Sequence, residues 1–355
     1  MKKKSIFIIS VGVILGLLMT PSVFAAKKLN PTPDKPLTLK MATFFSSEKD
    51  IRQIYTRKWG EGITKATNGA IKFRYFPGGQ LVKAKEMSDA LKMGIIDANT
   101  WFVTAYTPED YPFLSAIFLI PLALPDTLET FMAFSNDKAV QEAMFKPLET
   151  HNIKRLWGME ASYGQEWFFK EPWDPKDPAA NFKGKRVRSP GILAARIFLN
   201  WLGAEQISMS APEAYEAGQK GIIQGCTLGF SQFTHSHTYE VFPNVMFANT
   251  TFNAPGGVSC VFRLNLWNQL PENMQAAIEK VSQEIQAAFF NDYRKEVDRL
   301  KEKLIKEGKI KQFVTLDPNT KAGWVKEFNQ VLDKGMVKKF PERWPKFRDL
   351  VMKYQ

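Results

Sequence analysis

The chain has 355 residues, with 48 lysines and arginines against 36 aspartates and glutamates, and a formal net charge of +12 at pH 7. The basic residues are spread out with acidic residues among them, which argues against a nucleic-acid partner and favours a surface that attracts small anions. Two cysteines, Cys226 and Cys260, are too few for a disulfide scaffold, and we expect both to be buried as small apolar residues.

Residues 1–25 predict a secretory signal peptide. Lys2, Lys3 and Lys4 precede an apolar run, and Val23, Phe24 and Ala25, which are small or tolerated residues at such a position, precede a cleavage site after Ala25. The apolar run, residues 6–19, is too short to span a bilayer comfortably. We therefore expect an exported protein that works in the periplasm.

Strand and helix patterns then alternate. After a proline-rich segment, residues 27–36, the first half of the chain predicts strands over 37–45, 71–76 and 95–103, with helices over 51–68 and 81–94. After residue 150, strands are predicted near 153–158, 166–170, 185–188 and 222–226, with helices near 192–203 and 212–220. This alternation predicts an α/β protein with parallel strand pairs.

Residues 271–308 differ from the rest of the chain. Apolar residues keep helical spacing throughout, and no proline or glycine lies between Pro271 and Gly308. A helix of about 35 residues is roughly 50 Å long, which exceeds the diameter of one domain. It should therefore form a coiled coil or lie across two domains, and its charged second half favours a monomer.

Residues 182–191, FKGKRVRSPG, predict a basic strand that ends at a turn. Side chains alternate along a strand, so Arg186 and Arg188 share one face, and Pro190 and Gly191 then turn the chain. From the residues alone, the two arginines are compatible with binding a phosphate, a carboxylate or a nucleic acid, or with a solvated surface.

Catalytic and metal-binding motifs are missing from the sequence. It contains no nucleophile elbow, phosphate-binding loop or zinc-protease motif. His235 and His237 have no acidic or cysteine partner at ligand spacing, so we expect no metal and no cofactor. Two acidic residues distant in the sequence could still meet in space as a catalytic carboxylate pair, but the absence of motifs favours a binding protein over an enzyme.

Four segments together carry a family resemblance: residues 74–97 (RYFPGGQLVKAKEMSDALKMGIID), 182–191, 202–225 (LGAEQISMSAPEAYEAGQKGIIQG) and 238–249 (TYEVFPNVMFAN). In this order they resemble the DctP-type solute-binding proteins of tripartite ATP-independent periplasmic (TRAP) transporters. The resemblance implies two α/β domains with a ligand cleft between them and a long helix spanning both. Domain I would comprise residues 37–160 and 254–293, and domain II residues 161–253 and 294–355.

The resemblance also implies a function. The protein would capture a small organic anion and deliver it to a sodium-coupled TRAP membrane permease. A binder of 2-oxo acids or dicarboxylates in the same family is the first alternative. A periplasmic enzyme, or a receptor that presents its ligand to a sensor, belongs to another class.

In this family the arginine at the end of the basic strand binds the carboxylate of the ligand, and that residue corresponds to Arg188. Polar cleft positions of sugar-acid binders correspond here to Phe44, Phe102, Gly191, Ala211 and Leu228. Further candidate ligand contacts are Trp101, Glu166 (or Gln165), Trp167, Phe168, Thr227 and Phe230. An apolar wall contributes to binding by burying apolar surface of the ligand, but it leaves any ligand hydroxyl group without a hydrogen-bond partner. We therefore expect a monocarboxylate with an apolar or aromatic body.

Overall fold

The computed structural model describes residues 28–123, 128–159, 166–247, 251–253 and 258–354. The predicted signal peptide, Gln165 and the predicted domain boundaries at 160/161 and 253/254 lie outside these residues. None of the helices in the described ranges combines the length and the apolar character that crossing a membrane requires.

In chain order the strands are β1 (Leu37–Ala42), β2 (Ile71–Phe76), β3 (Ala98–Val103), β4 (Leu119–Pro121), β5 (Ile153–Gly158), β6 (Glu166–Phe169), β7 (Arg186–Ser189), β8 (Glu205–Ser208), β9 (Gly225–Leu228), β10 (Asn244–Phe247), β11 (Thr251–Asn253), β12 (Val258–Arg263) and β13 (Gln312–Thr315). The helices are α1 (Ile51–Ala66), α2 (Met87–Lys92), α3 (Pro112–Ala116), α4 (Leu128–Asn136), α5 (Lys138–Glu149), α6 (Leu193–Trp201), α7 (Glu213–Gln219), α8 (Phe230–His235), α9 (Leu264–Trp267), α10 (Glu272–Lys306), α11 (Pro318–Lys339) and α12 (Arg343–Met352).

The predicted alternation of strands and helices is confirmed, with shifts at some ends. The predicted strand near 222–226 begins only at Gly225, because α7 is followed by a turn at Gly221, whose φ is +71°. The predicted helix over 81–94 is split into a 3₁₀ turn, Ala84–Glu86, and the short α2. The predicted strand over 37–45 ends at Ala42.

One sheet has the strand order β2-β1-β3-β12-β5. β1 pairs in parallel with β2 and β3, as the alternation predicts, whereas β12 runs antiparallel to β3 and β5. Because β1 and β3 are parallel, their carboxyl ends lie at the same edge of the sheet, followed by Phe44 and Phe45 and by the 3₁₀ turn Thr104–Tyr106. This edge is where ligands bind in sheets of this kind.

A second sheet has the order β13-β10-β6-β9-β7-β8, and a pair of short strands, β11 and β4, lies apart from both. β7 is parallel to β8 and β9, while β6 is antiparallel to β9 and β10. The carboxyl ends of β7 and β9 therefore lie together as well. Cys226 and Cys260 are buried, as expected, form no disulfide and belong to different sheets.

The predicted long helix is confirmed as α10, with 35 residues. The first two-thirds of α10 packs on α1: the indole N–H of Trp59 donates to the Ser282 hydroxyl at 3.0 Å, and the Tyr55 hydroxyl donates to Asp292 at 2.5 Å. Further along, it contacts α8, which follows β9 of the second sheet. The protein therefore consists of two α/β units with the long helix running along both.

The C-terminal helix α12 packs against α5. The ring of Phe347 makes edge-to-face contacts with Phe113 at 5.7 Å and with Phe134 at 6.3 Å. α5 lies against β5 of the first sheet, so the end of the chain returns to the first unit. The domain boundaries drawn from the sequence stay a prediction.

Candidate ligand-binding site

Arg188 lies on β7 near its carboxyl end, paired with Cys226 of β9, and only 2% of its surface is exposed. Its Nε donates to the carbonyl oxygen of Met209 at 3.0 Å, and its Nη1 donates to that of Thr227 at 2.7 Å. A guanidinium has five N–H groups, so these two bonds leave donors available. The bonds orient the planar end of the side chain at the strand edge.

Arg186, two residues earlier on the same face, has a different environment. It is exposed, and its Nη2 donates to the carbonyl oxygen of Gly221 at 2.8 Å. It lies at the start of β7, away from the carboxyl ends of the parallel strands. The two arginines thus share a face of the strand but not an environment, and the buried one is the candidate for binding an anion.

The charge of Arg188 has no acidic counterpart within salt-bridge distance among the described residues. Burial lowers the pKa of Arg188, and the nearby Tyr106, Cys226 and Glu213 oppose this only in part. Burial likewise raises the pKa of the Cys226 thiol to about 12, so the thiol is neutral. A buried charge without a partner is costly, which makes this position favourable for an anionic ligand.

Tyr106 brings the first unit to this site, and sequence reasoning missed it. It ends the 3₁₀ turn that follows β3, and its hydroxyl lies beside the Arg188 guanidinium and the backbone N–H of Ala211. Burial raises the pKa of Tyr106, so the phenol is neutral. Its place just after the carboxyl end of a parallel strand was the available signal.

Three aromatic residues of the first unit, Phe44, Phe45 and Trp101, pack against one another. Phe44 and Trp101 stack with ring centroids 6.4 Å apart and an interplanar angle of 14°, and Phe45 meets Trp101 edge to face at 4.6 Å. Phe44 and Trp101 are only partly buried. Phe44 and Trp101 thus form an apolar surface, and their contact with a ligand stays a prediction.

Phe44 also lines a cavity of about 180 Å³ that lies between the two units. One side is formed by the segment that follows β1 and by the start of α1, and the other by the start of α7 and by α8. The lining residues are Phe44, Phe45, Ser46, Ser47, Asp50, Arg52, Pro212, Gln232, His235 and Ser236. Pro212 directly follows Ala211, whose backbone N–H lies beside the Tyr106 hydroxyl near Arg188. This interdomain cavity therefore adjoins the Arg188 site.

Asp50 and Arg52 form a buried ion pair in this cavity, which sequence reasoning also missed. Arg52 donates from Nε to Asp50 Oδ1 at 2.9 Å and from Nη2 to Asp50 Oδ2 at 2.5 Å, and the side chains are 4% and 3% exposed. Burial alone would raise the pKa of Asp50, but attraction and hydrogen bonds from Arg52 outweigh it and hold that pKa below its usual value.

His235 faces this pair from the second unit. Burial lowers the pKa of His235, and Arg52 lowers it further while Asp50 opposes the shift, so the imidazole is neutral at pH 7. His237, the other histidine of the segment, contacts the Tyr239 hydroxyl at 2.7 Å instead. Within the described ranges, no three histidine, cysteine or acidic residues lie close enough to hold a metal ion.

The remaining predicted residues of the second unit fall into two groups. Phe168 stacks on Phe233 at 3.8 Å and lies 6.1 Å from Phe230, on the same face of the sheet as Arg188. Strand pairing puts Glu166 opposite Leu228 on this face, and both are buried. Trp167 and Thr227 lie on the other face, where Trp167 packs between Phe182 and Phe198.

Two other predicted positions have local structural roles. Gly191 adopts a φ of +86°, and a Cβ there would lie 2.4 Å from the Ser208 hydroxyl oxygen. It lines a separate cavity of about 590 Å³. Phe102 is buried against the ring of Tyr111 at 5.8 Å. Whether these residues contact a ligand stays a prediction.

Residues 41–339 match the family described as bacterial extracellular solute-binding protein, family 7, or DctP. The protein belongs to this family of TRAP-type solute-binding proteins. Its members are periplasmic transport proteins rather than enzymes; they bind small organic acids and work with TRAP permease components.

A relative by sequence is the C4-dicarboxylate-binding periplasmic protein DctP of Rhodobacter capsulatus, 22% identical over 323 residues that cover 90% of this chain and 92% of that protein. Two solved TRAP periplasmic solute-binding proteins share the fold. One, from Desulfovibrio salexigens with bound orotic acid, has a TM-score of 0.77 at 18% identity, covering 89% of this chain and 98% of that chain. The other, from Pseudomonas putida F1 with bound D-glucuronate, has a TM-score of 0.74 at 20% identity, covering 90% and 96%.

Proposed function

We propose that this protein captures a monocarboxylate with an apolar or aromatic body in the periplasm and delivers it to a sodium-coupled TRAP permease. The observation that carries the proposal is the buried Arg188, which has no acidic partner among the described residues. A carboxylate matches the planar fork of a guanidinium and would neutralise its charge. The residue therefore supports an anionic ligand held by its carboxylate.

The charges around the cleft favour one carboxylate over two. Arg52 is already neutralised by Asp50, and His235 is neutral at pH 7. Arg188 then supplies the positive charge that a single carboxylate requires.

The body of the ligand would lie against Phe44 and Trp101. An apolar wall gains about 25 cal/mol for each Å² of apolar ligand surface that it buries. A planar ring would bury more of that surface than a hydroxylated chain. Orotate, which is a planar monocarboxylate and is bound in one of the similar structures, is therefore a suitable probe.

A dicarboxylate is the second candidate, supported by the presence of a second buried arginine, Arg52, and by the name of the R. capsulatus relative. It would require a second carboxylate to approach Arg52 despite Asp50. The two candidates differ in the net charge of the ligand, so binding assays separate them.

The test uses protein purified from the periplasm, unfolded and refolded to remove any ligand carried along. Thermal unfolding is measured with benzoate, orotate, D-glucuronate, pyruvate and L-malate, for the unaltered protein, Arg188→Ala and the control Arg186→Ala. A ligand that binds the native state raises the unfolding temperature. Light scattering of the same samples tests the expected monomer.

We expect benzoate or orotate to raise the unfolding temperature of the unaltered protein and of Arg186→Ala, but not of Arg188→Ala. If L-malate alone raises it, the dicarboxylate reading replaces the monocarboxylate one. If a carboxylate binds Arg188→Ala as well as it binds the unaltered protein, the role of Arg188 is wrong.

A further inference from the structure

The buried ion pair between Asp50 and Arg52 has features that the carboxylate site does not explain. Asp50 uses two of the five N–H groups of the Arg52 guanidinium, and no other acceptor takes the rest among the described residues. The guanidinium carbon lies 4.0 Å from the ring centre of Phe45 and 5.3 Å from that of Trp101. Arg52 is therefore fixed in place while part of its donor capacity stays available.

These donors border the interdomain cavity defined above, which Arg52 lines together with His235. The Nε2 atom of His235 is buried and has no hydrogen-bond partner among the described residues. Buried polar atoms in proteins are nearly always hydrogen-bonded, so a donor and an imidazole nitrogen that lack partners mark a place for a polar group.

The cavity adjoins the Arg188 site. Pro212 lines the cavity, and its neighbour Ala211 presents its N–H to Tyr106, which lies beside Arg188. An organic acid held at Arg188 and lying along Trp101 would therefore point its far end towards Arg52. This argument rests on the function proposed above.

The charge of the cavity selects the kind of group. Asp50 neutralises Arg52 through two hydrogen bonds, and His235 adds no charge at pH 7. A second carboxylate would have to displace Asp50 or remain next to it, whereas an uncharged oxygen needs only a donor. The cavity thus matches a carbonyl, hydroxyl or ether oxygen.

We propose that Arg52 donates a hydrogen bond to an uncharged oxygen at the far end of the bound monocarboxylate, and that Asp50 excludes a second carboxylate from this place. Asp50 is then a specificity-determining residue, although it does not itself touch the ligand. Removing the charge of Asp50 while keeping its shape should therefore change which acids bind. If the ion pair were purely structural, the same substitution would leave this preference unchanged.

The test compares three probes by calorimetric titration: benzoate, which has no oxygen beyond its carboxylate; orotate, which has ring carbonyls; and L-malate, which has two carboxylates. Asp50→Asn leaves a positive charge on Arg52 and keeps an N-capping side chain for α1. Glu48→Gln is the matched control, since it removes the same charge two residues away, from a side chain that is 84% exposed.

We expect Asp50→Asn to increase the affinity for L-malate relative to benzoate by about 10-fold or more, and Glu48→Gln to change this ratio by less than about 2-fold. The double variant Asp50→Asn/Arg52→Gln removes both charges and so avoids an unpaired buried charge. It should weaken orotate binding by about 10- to 100-fold, with little change for benzoate.

The outcomes separate this inference from the proposed function. If the acids bind and depend on Arg188, but neither Asp50→Asn nor the double variant changes the order of affinities, the inference is overturned and the proposed function stands. The same holds if Glu48→Gln changes the ratio as much as Asp50→Asn does. If no probe binds the unaltered protein, both fail.

Discussion

Arg188→Lys tests whether the geometry of the arginine, and not only its charge, binds the carboxylate. Lysine keeps the positive charge but replaces a planar fork of five N–H groups by one ammonium on a flexible chain. In the structure, Nε is fixed by the carbonyl of Met209 and Nη1 by that of Thr227, so the remaining donors have a set direction. The ammonium cannot reproduce both bonds and still meet two carboxylate oxygens.

The expected loss is at least one charge-assisted hydrogen bond to the ligand, about 1.5–3 kcal/mol, or roughly 10- to 100-fold in affinity. Calorimetric titration with whichever of the probes binds most tightly measures it. Arg186→Lys is the control on the same strand, because Arg186 is exposed and its guanidinium donates to a loop carbonyl. The affinity of this variant for the ligand should change by less than about 2-fold. If Arg188→Lys binds within about 3-fold of the unaltered protein, charge alone suffices and the fork argument is refuted.

Three further predictions concern stability. Gly191→Ala should lower the free energy of unfolding by about 1–3 kcal/mol in urea titrations, because Gly191 has a positive φ and lies close to the Ser208 hydroxyl. The control Gly184→Ala, which also has a positive φ but free space around it, should lower it by about 1 kcal/mol. Ser282→Ala leaves the buried indole N–H of Trp59 without an acceptor, so about 1–3 kcal/mol should be lost; an unchanged midpoint would contradict this. The lowered pKa of Asp50 means that this carboxylate stabilises the protein above about pH 4 and that the stabilisation is lost as the pH falls. In that acid range, the free energy of unfolding of Asp50→Asn should therefore change less with pH than that of the unaltered protein.

Much of the fold follows from local patterns in the sequence. The apolar spacing along residues 271–308 predicts α10 because helix periodicity is a local property, and the structure places its ends within two residues. The strand patterns predict β2 and β5 to the residue, and the start of β1, for the same reason. Antiparallel β12 was not predicted, because pairing of strands far apart in the chain leaves no local signature.

The candidate site shows the same division. Arg188 was found through its segment, FKGKRVRSPG, together with three others in a fixed order, all of which are sequence properties. Tyr106 and the Asp50–Arg52 pair were not found, since an Asp two residues before an Arg is usually a solvated N-terminal turn of a helix. Only packing under Phe45 and Trp101 buries this pair and makes its charges consequential.

The sequence by itself determined that this is an α/β protein of the TRAP solute-binding family, with a long helix and a strand-end arginine. The tertiary structure decided which polar groups meet. Arg52 and His235 lie 183 positions apart in the chain and approach across the interdomain cavity, and Tyr106 reaches Arg188 from the other unit. Burial and charge are properties of such long-range neighbours, and the binding preference of the cleft depends on both.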